Sequence, residues 1–590
     1  MSIFNLFSLL GGLALFLYGM DTMGKSLEKQ AGGKLQKILS KLTDNPIKGF
    51  GLGLIVTAII QSSSATTVMV VGFVNSGIMQ LSQAIGIILG SNVGTTVTSW
   101  LLSLTGIEGD SFWVKILSPS NFSPVLAFIG ILLYMFSKKE SHRGTGVILI
   151  GFAILMTGMS TMSSAVKPLQ DEAWFTNIFV MFSNPFLGVC AGAFLTAIIQ
   201  SSSASVGILQ ALSATGAITF GSAIPIIMGQ NIGTCITALI SSVGANKNAR
   251  RAAMVHLYFN VIGVAVLLIV FYTANAIFRF TFVDGTISTF QIAMVHTIFN
   301  IVSTAILLPF VKQLEKLAIL TIPDDETVEE FQILDPRLLA TPAVAVDRAR
   351  ITTVEMAEIS RTCLFQAMSL THKWDDNLYR EMCKGEDRTD HLEDVIGTYL
   401  VRLSSHEMIL KDSRKANTLL HTISDFERIG DHSINIAEVA KEIEEKNIVF
   451  SSHAQDELEV LEGALQDILN RTITAFERND LSLARKIEPL EEVIDGLVRE
   501  IKQRHIARLQ AGSCSIEYGF VLDDLLTSYE RAADHCSNIA VALIEVAQDS
   551  FDTHAYLNRL QDPNEAEGEK FSLRYEKYRS RYMFPEDKES

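Results

Sequence analysis

The sequence predicts an all-α protein: a polytopic membrane unit made of two inverted repeats with re-entrant hairpins and broken helices, followed by a cytoplasmic helical bundle. Three observations lead there. Apolar segments long enough to span a bilayer crowd into the first 312 residues. The nine letters TAIIQSSSA stand at Thr57–Ala65 and again at Thr196–Ala204, among other matches that keep the same offset. From about residue 344 the chain turns to helical periodicity with dense i,i+4 charge pairs and almost no Gly or Pro inside its long segments.

Charge divides the chain at the same place. Residues 1–312 carry 16 Lys/Arg and 9 Asp/Glu, a balance of +7; the remainder carries 32 and 55, a balance of −23, and the two sum to the net −16. An acidic second half excludes nucleic acid as a partner and leaves membrane lipid as the solvent of the first half. The six cysteines show no paired spacing and read as reduced core residues. With no basic n-region and no small-residue cleavage site, the first apolar stretch reads as a retained helix.

In order, the apolar segments run approximately 4–24, 50–76, 82–105, 122–137, 145–165, 186–212, 222–243, 253–278 and 288–311. They compose a transport unit over 1–315, with repeats at about 4–137 and 145–278 and a last helix at 288–311. Basic loops (Lys25 to Lys48; Lys138, Lys139 and Arg143; Lys247, Arg250 and Arg251; Lys312 and Lys316) are assigned to the cytoplasm. That assignment demands an odd number of crossings between residues 48 and 106, and again between 184 and 246. Each stretch holds two apolar segments, so one of the two enters and returns, and the QSSS segment is the one least able to continue as a helix. The first helix of each repeat then leads to opposite faces, so the halves are inverted, as in many secondary transporters. Residues 316–343, with Pro323, Asp324, Asp325, Pro336 and Pro342, read as a linker. A helical domain follows over 344–550, and 551–590 reads as a mobile charged tail.

The repeated phrase is the candidate site. In lipid an unpartnered polar group costs several kcal/mol, so a polar, broken stretch survives where it lines a cavity or binds something. The phrase has a companion: Gly90–Thr95 reads GSNVGT and Gly229–Thr234 reads GQNIGT, each Asn standing 31 positions after its Gln. Asn45-Pro46 and Gly19-Met20 also recur 139 residues later. The candidate ligand set is therefore Gln61, Ser62, Ser63, Ser64, Thr66, Asn92, Thr95 and Thr96 with Gln200, Ser201, Ser202, Ser203, Asn231 and Thr234. The plainer reading is that these hydroxyls glue helices together. Ala253–Asn260 (AMVHLYFN) and Ala293–Asn300 (AMVHTIFN) place His256, Asn260, His296 and Asn300 on helix faces, either along a transport path or as interhelical hydrogen bonds.

With both QSSS copies and both Gly-Asn-Gly-Thr companions present, residues 1–312 resemble the type II sodium–phosphate cotransporter family. The resemblance implies inorganic phosphate as substrate and co-transported sodium. The motifs contain no Lys, Arg, Asp or Glu. A phosphate entering them finds only dipoles and hydroxyls, and sodium held by the same oxygens supplies the missing charge.

In the second half, Phe426–Ala437 (FERIGDHSINIA) returns as Tyr529–Ala540 (YERAADHCSNIA) at an offset of 103. Glu427 and Asp431, like Glu530 and Asp534, are i and i+4 on one stripe, where carboxylates repel unless a cation or an Arg lies between them. This pairing resembles the PhoU family, which implies a double three-helix bundle and a divalent metal or iron at those four residues. Arg428 and Arg531 are the alternative partners. The resulting expectation is a non-enzymatic sodium-coupled phosphate transporter of the bacterial cytoplasmic (inner) membrane with a cytoplasmic regulatory domain. The alternative is a membrane phosphate receptor that signals through the bundle. A homodimer or a cytoplasmic signalling protein stays open as a partner.

Overall fold

The computed structural model describes residues 3–39, 45–107, 118–323, 334–548 and 566–585. The chain forms two compact units, Met1–Val344 and Ala345–Ser590. In the first, six helices among the described residues are long and apolar enough to cross a membrane: Ile3–Ala31, Leu81–Gly106, Glu140–Leu169, Phe220–Ser241, Lys247–Phe278 and Thr289–Thr321. The protein is a multi-pass membrane protein.

The helices of each repeat begin and break where the sequence repeats. Helix α1 (Ile3–Leu39) is followed by α2 (Pro46–Ile60), whose N-cap Asn45 accepts from the Ile47 amide. Pro46 at the first helical position has no N–H to orphan. At about 1.5 Å per residue, α2 reaches about 22 Å, short of a ~30 Å hydrocarbon core. It ends at Gln61, and α3 (Ser63–Asn75) starts after one extended residue. The expected apolar segment 50–76 is thus two helices. Then come α4 (Leu81–Gly94), α5 (Thr96–Ser103) and α6 (Pro119–Phe136). The second repeat supplies α7 (Glu140–Val166), α8 (Ala173–Phe182), α9 (Pro185–Ile199), α10 (Ser202–Ser213) and α11 (Phe220–Ser241). Helices α12 (Lys247–Phe278), α13 (Thr289–Leu307) and α14 (Val311–Thr321) complete the unit.

Glycines fix how these helices meet. A Cβ on Gly53 would lie 2.0 Å from the Ile87 carbonyl oxygen, and one on Gly90 2.0 Å from that of Phe50. The second repeat reproduces both contacts: Gly192 against the Ile226 oxygen at 2.0 Å and Gly229 against that of Val189 at 2.1 Å. No other residue permits this approach. Since Pro46 lies by Gly86 and Leu54 by Gly94, α2 runs parallel to α4. Helix α3 must then lead back, because only Ser76–Gln80 connect it to the start of α4. Helices α2 and α3 are a hairpin with Gln61 and Ser62 at its tip; α9 and α10 repeat it.

The repeats are related by inversion. Gly12 packs on the Gly158 oxygen and Gly19 on the Gly151 oxygen, so α1 and α7 are antiparallel. Gly151 and Gly158 are Gly12 and Gly19 displaced by 139, so each contact is made twice with the roles exchanged. That is the mark of a two-fold axis across the helices. Where α1 and α7 meet α5 and α10, Phe16, Leu102, Leu155, Met159 and Ala204 form a core.

The second unit contains α15 (Pro342–His372), α16 (Asp376–Ser404), α17 (Leu410–Glu445), α18 (Ser452–Arg478), α19 (Glu488–Gln510) and α20 (Ile516–Gln548), the double three-helix arrangement expected. Short polar caps start them, as where the Asp375 carboxylate accepts from the Asn377 and Leu378 amides. Phe426 meets Phe476 edge to face at 5.1 Å in the interior.

Two stretches differ from expectation. Part of the 316–343 linker is structured: α14 continues to Thr321 and Pro336–Ala340 forms a 3-10 turn, while residues 324–333 lie outside the described residues. Within the expected tail, α21 (Ala566–Arg581) is helical, Phe584 is buried under the Arg504 guanidinium, and the Tyr582 hydroxyl donates to Asp467 at 2.9 Å. Its aromatic residues give this amphipathic segment the burial that composition alone concealed. Residues 549–565 and 586–590 lie outside the described residues.

Inversion makes a direct prediction. Asn45 and Asn184 begin equivalent hairpins, so single cysteines there should react with an impermeant thiol reagent from opposite faces of intact vesicles. Equal labelling of both from one face would refute the inverted arrangement.

Candidate functional site

The two hairpin tips have the same backbone. Gln61 (φ 61°) and Gln200 (φ 59°) are left-handed, and each donates its amide back to Thr57 or Thr196 as the helix C-cap. A side chain in that region costs about 1–2 kcal/mol, and the break makes Gln rather than Gly bear it twice. Ser62 (φ −144°) and Ser201 (φ −142°) are extended, and their hydroxyls accept from the Ala65 and Ala204 amides to cap α3 and α10. The phrase QSSS thus encodes a helix stop, a one-residue turn and a new helix start.

The tips meet. Ser64 Oγ donates to the Gln200 carbonyl at 3.2 Å, linking the QSSS of one repeat to that of the other. Ser63, Ser202 and Ser203 are buried, Gln61 is half-buried and Gln200 is exposed. Thr57 donates to Thr66 at 3.0 Å, yet the equivalent hydroxyls, Thr196 and Ser205, have no protein partner. The Gln61 side-chain oxygen is also buried without one.

The companion motifs lie beside the hairpins on α4 and α11. Asn92 Oδ1 lies 3.3 Å from His256 Nε2, and its Nδ2 has no protein partner. Asn231 donates to Ile227 at 2.9 Å. Thr95, Thr96 and Thr234 bond back to carbonyls of Ser91, Val93 and Gln230 on the preceding turn, so these three spend their hydroxyls locally. His296 Nδ1 is 2.8 Å from Ser99 Oγ, while Asn260 and Asn300 donate to the His256 and His296 carbonyls. His256, Asn260 and Cys235 connect α12 to the Asn231 carbonyl through the Cys235 thiol. The histidines are therefore interhelical ties to α4 and α5, each with one unpartnered ring nitrogen.

Gln230 and Gln210 are the polar residues that motif matching passed over. Both amide atoms of Gln230 are buried without a protein partner, and Gln210 donates to Ser99 and Thr289 from α10. Gln230 stands between Gly229 and Asn231 where the first repeat has Ser91, so a difference inside the motif was the available signal.

The helical unit gathers carboxylates differently from the expected stripe. Arg428 pairs with Asp431 at 3.0 Å and touches Glu427 at 3.6 Å, while Arg531 lies 3.7 Å from Asp534. Instead of four residues on two helices, Asp534 of α20 meets Glu491 and Asp495 of α19, with one oxygen from each within 4.8 Å of the others. Burial, then neighbouring Glu488, Asp495 and Asp534, raises Glu491 to about 9. Burial, then Glu530 and Asp534, raises Asp495 to about 6. Glu427 rises to about 7 through burial and Asp431, and Glu386 of α16 is raised by burial and the same Asp431. Glu386 and Asp390 lie 105 positions before Glu491 and Asp495, so both halves bring two helices of carboxylates together. Strict pairing along one helix hid this, since the partners come from the neighbouring helix.

Comparison with known proteins adds independent weight. Residues 15–164 and 154–295 match the Na+/Pi-cotransporter model, and residues 353–440 and 460–543 match the PhoU domain model. The chain is 26% identical over 553 residues to the putative inorganic phosphate export protein YjbB of Escherichia coli (strain K12), covering 92% of this chain and 98% of that protein. It is 33% identical over 258 residues to the uncharacterized protein YqeW of Bacillus subtilis (strain 168), covering 43% and 79% respectively. It is 30% identical over 152 residues to the sodium-dependent phosphate transport protein 2A of Rattus norvegicus, covering 25% and 24%.

Raised carboxyls set a pH dependence. Folded Glu491 holds its proton to about pH 9 while an unfolded Glu releases it near 4.5, so its stabilising effect is full below 4.5 and is lost as pH rises through 9. Burial lowers His432 to about 4, so it is neutral in both states above pH 7 and does not contribute there. The melting temperature of the detergent-solubilised protein should therefore fall between pH 7 and 9, and Glu491→Gln should flatten that fall. A wild-type and variant with the same slope would contradict it.

Proposed function

The chain belongs to the Na+/Pi-cotransporter family and carries PhoU domains after the membrane unit, and from that premise we propose that it moves inorganic phosphate across the bacterial cytoplasmic membrane by coupling to sodium. The observation that carries this reading is the Ser64–Gln200 bond, which joins the two QSSS breaks at one place among residues without a charged side chain. The hairpins are re-entrant, their bases at opposite faces and their tips near the midplane. Phosphate binds at the shared tips, where the Gln61 and Gln200 amides and the serine hydroxyls donate. Asn92 and Gln230, whose buried amides have unpartnered donors, extend the donor set. Sodium takes oxygens that lack a donor, among them Gln61 Oε1 and the hydroxyls of Thr196 and Ser205. Each ion bound lowers the cost of bringing phosphate out of water, which couples the two. One site of this kind serves uptake and export alike, with the gradients setting direction.

The helical unit is the cytoplasmic regulator. Its all-oxygen trio of Glu491, Asp495 and Asp534, in which burial and then neighbouring carboxylates raise Glu491 and Asp495, suits a hard divalent cation. When bound, that cation replaces protons as the neutralising charge, so retention of Mn²⁺ by the dialysed protein should drop with Asp534→Asn.

Transport is tested at the tips. Gln61→Ala and Gln200→Ala should each weaken phosphate transport, because each removes a donor to the bound phosphate at about 1–3 kcal/mol, or roughly five- to 150-fold in affinity. Gln230→Ala should follow them. Labelled phosphate counterflow in proteoliposomes at varied sodium decides. Sodium-independent flux in the wild-type protein, or full activity without both glutamines, would defeat the reading.

A further inference from the structure

Among the described residues, one element of the membrane unit has no counterpart in the other repeat. Asn75, the last residue of α3 and so the base of the first hairpin, donates from Nδ2 to Asp335 Oδ2 at 2.6 Å. Its side-chain oxygen accepts from the Asn246 amide at 2.7 Å, and its carbonyl accepts from Asn246 Nδ2 at 3.0 Å. Asn246 is the N-cap of α12. Asp335 is fully buried and also accepts from the Arg337 amide at 2.8 Å and from Arg337 Nη1 at 3.0 Å. The same guanidinium donates to the Ser241 carbonyl and, at 2.9 Å, to the Val243 carbonyl, both at the C-terminus of α11. Leu338 is buried over α3, where a Cβ on Gly72 would come within 3.0 Å of its Cδ2.

Asp335, Arg337 and Leu338 of a short turn therefore bind α3 and α11 directly and α12 through Asn75, helices that bear Ser63 and Ser64, Gln230 and Asn231, and His256 farther along their length. In the second repeat the position matching Asn75 is Ala214, which has no side chain to make such a bond. The base of that hairpin is held by uncharged backbone bonds instead, Ile287 to Ile218 at 3.0 Å and Phe220 to Gly285 at 3.0 Å. Among the described residues the charged tie exists at one end only, beside Lys247, Arg250 and Arg251.

We propose that the Asp335–Arg337 turn is a one-sided gate: it positions the base of the α2–α3 hairpin and holds the site closed on the face that carries Asn246. The proposal rests on the transport reading above. A cation meeting helix C-terminal carbonyls and a buried carboxylate is a strong, discrete contact, so the joint has two states, made or broken, and does not stretch gradually. The turn ends at Ala340, and α15, the first helix of the PhoU-domain region, begins at Pro342. The gate and the PhoU-domain region are thus successive along the chain.

A gate predicts opposite effects on the two faces. Arg337→Ala biases the protein toward opening on the Asn246 face, so in proteoliposomes of sorted orientation KM for phosphate should fall or hold on that face and rise about tenfold on the other. Arg337→Lys keeps the charge without the two-carbonyl fork and should lie between. A second readout needs no transport. With the six native cysteines replaced, Ser76→Cys, buried at the end of α3, should react several-fold faster with a thiol reagent when Arg337 is Ala. KM changes equal on both faces, or unchanged Ser76→Cys labelling in a well-folded Arg337→Ala protein, would overturn the gate. Faster labelling with no phosphate flux in the wild-type protein would instead overturn the transport reading and leave the gate standing.

Discussion

The close approach of α2 to α4 and of α9 to α11 is the contact on which the membrane unit depends. At Gly53 and Gly90, and again at Gly192 and Gly229, backbone lies against backbone with no room for a side chain. Without a hydrophobic drive between helices in lipid, that contact gathers many small dispersion and Cα–H···O interactions that larger residues would forbid. It sets the height at which α2 ends against α4, and hence where Gln61 turns. It also brings Asn92 and Asn231 alongside the breaks they accompany in sequence. A polar tip in the middle of an apolar unit is tolerable because its supporting helix cannot slide.

Much of this was readable because the repeat is exact where the packing is tight. The offset of 139 preserved Asn-Pro starts, Gln-Ser breaks and Gly contacts together, and each is a backbone requirement with few residues able to meet it. The sequence was silent where the requirement is satisfied by any amphipathic surface. Helix α21 and the residues after it are an instance: their burial rests on Tyr578 and Phe584, scattered among charges that suggested a free tail. The carboxylate trio was missed for a different reason. Reading Asp431 and Asp534 along their own helices found the stripe but not Glu491 and Asp495 across the groove, because the register of one helix against another is not carried by either alone.

The inverted repeats are alike in backbone and unlike in chemistry. Thr57 and Thr66 satisfy each other, whereas Thr196 and Ser205, one methyl smaller as a pair, do not. Ser91 is matched by Gln230, and Asn75 by Ala214. Pseudo-symmetry repeats the backbone; these substitutions make the two halves differ in their hydrogen bonds.

The reciprocal contacts of Gly12 with Gly158 and Gly19 with Gly151 carry a historical implication. A surface that pairs with its own inverted image is a homodimer interface in all but connectivity. A half-length ancestor presenting the equivalents of Gly12 and Gly19 would have met a second copy of itself inserted the other way up, with no new surface needed. Carrying both copies in one chain fixes the ratio of the two orientations at one to one and leaves each half free to differ, as Asn75 and Ala214 do.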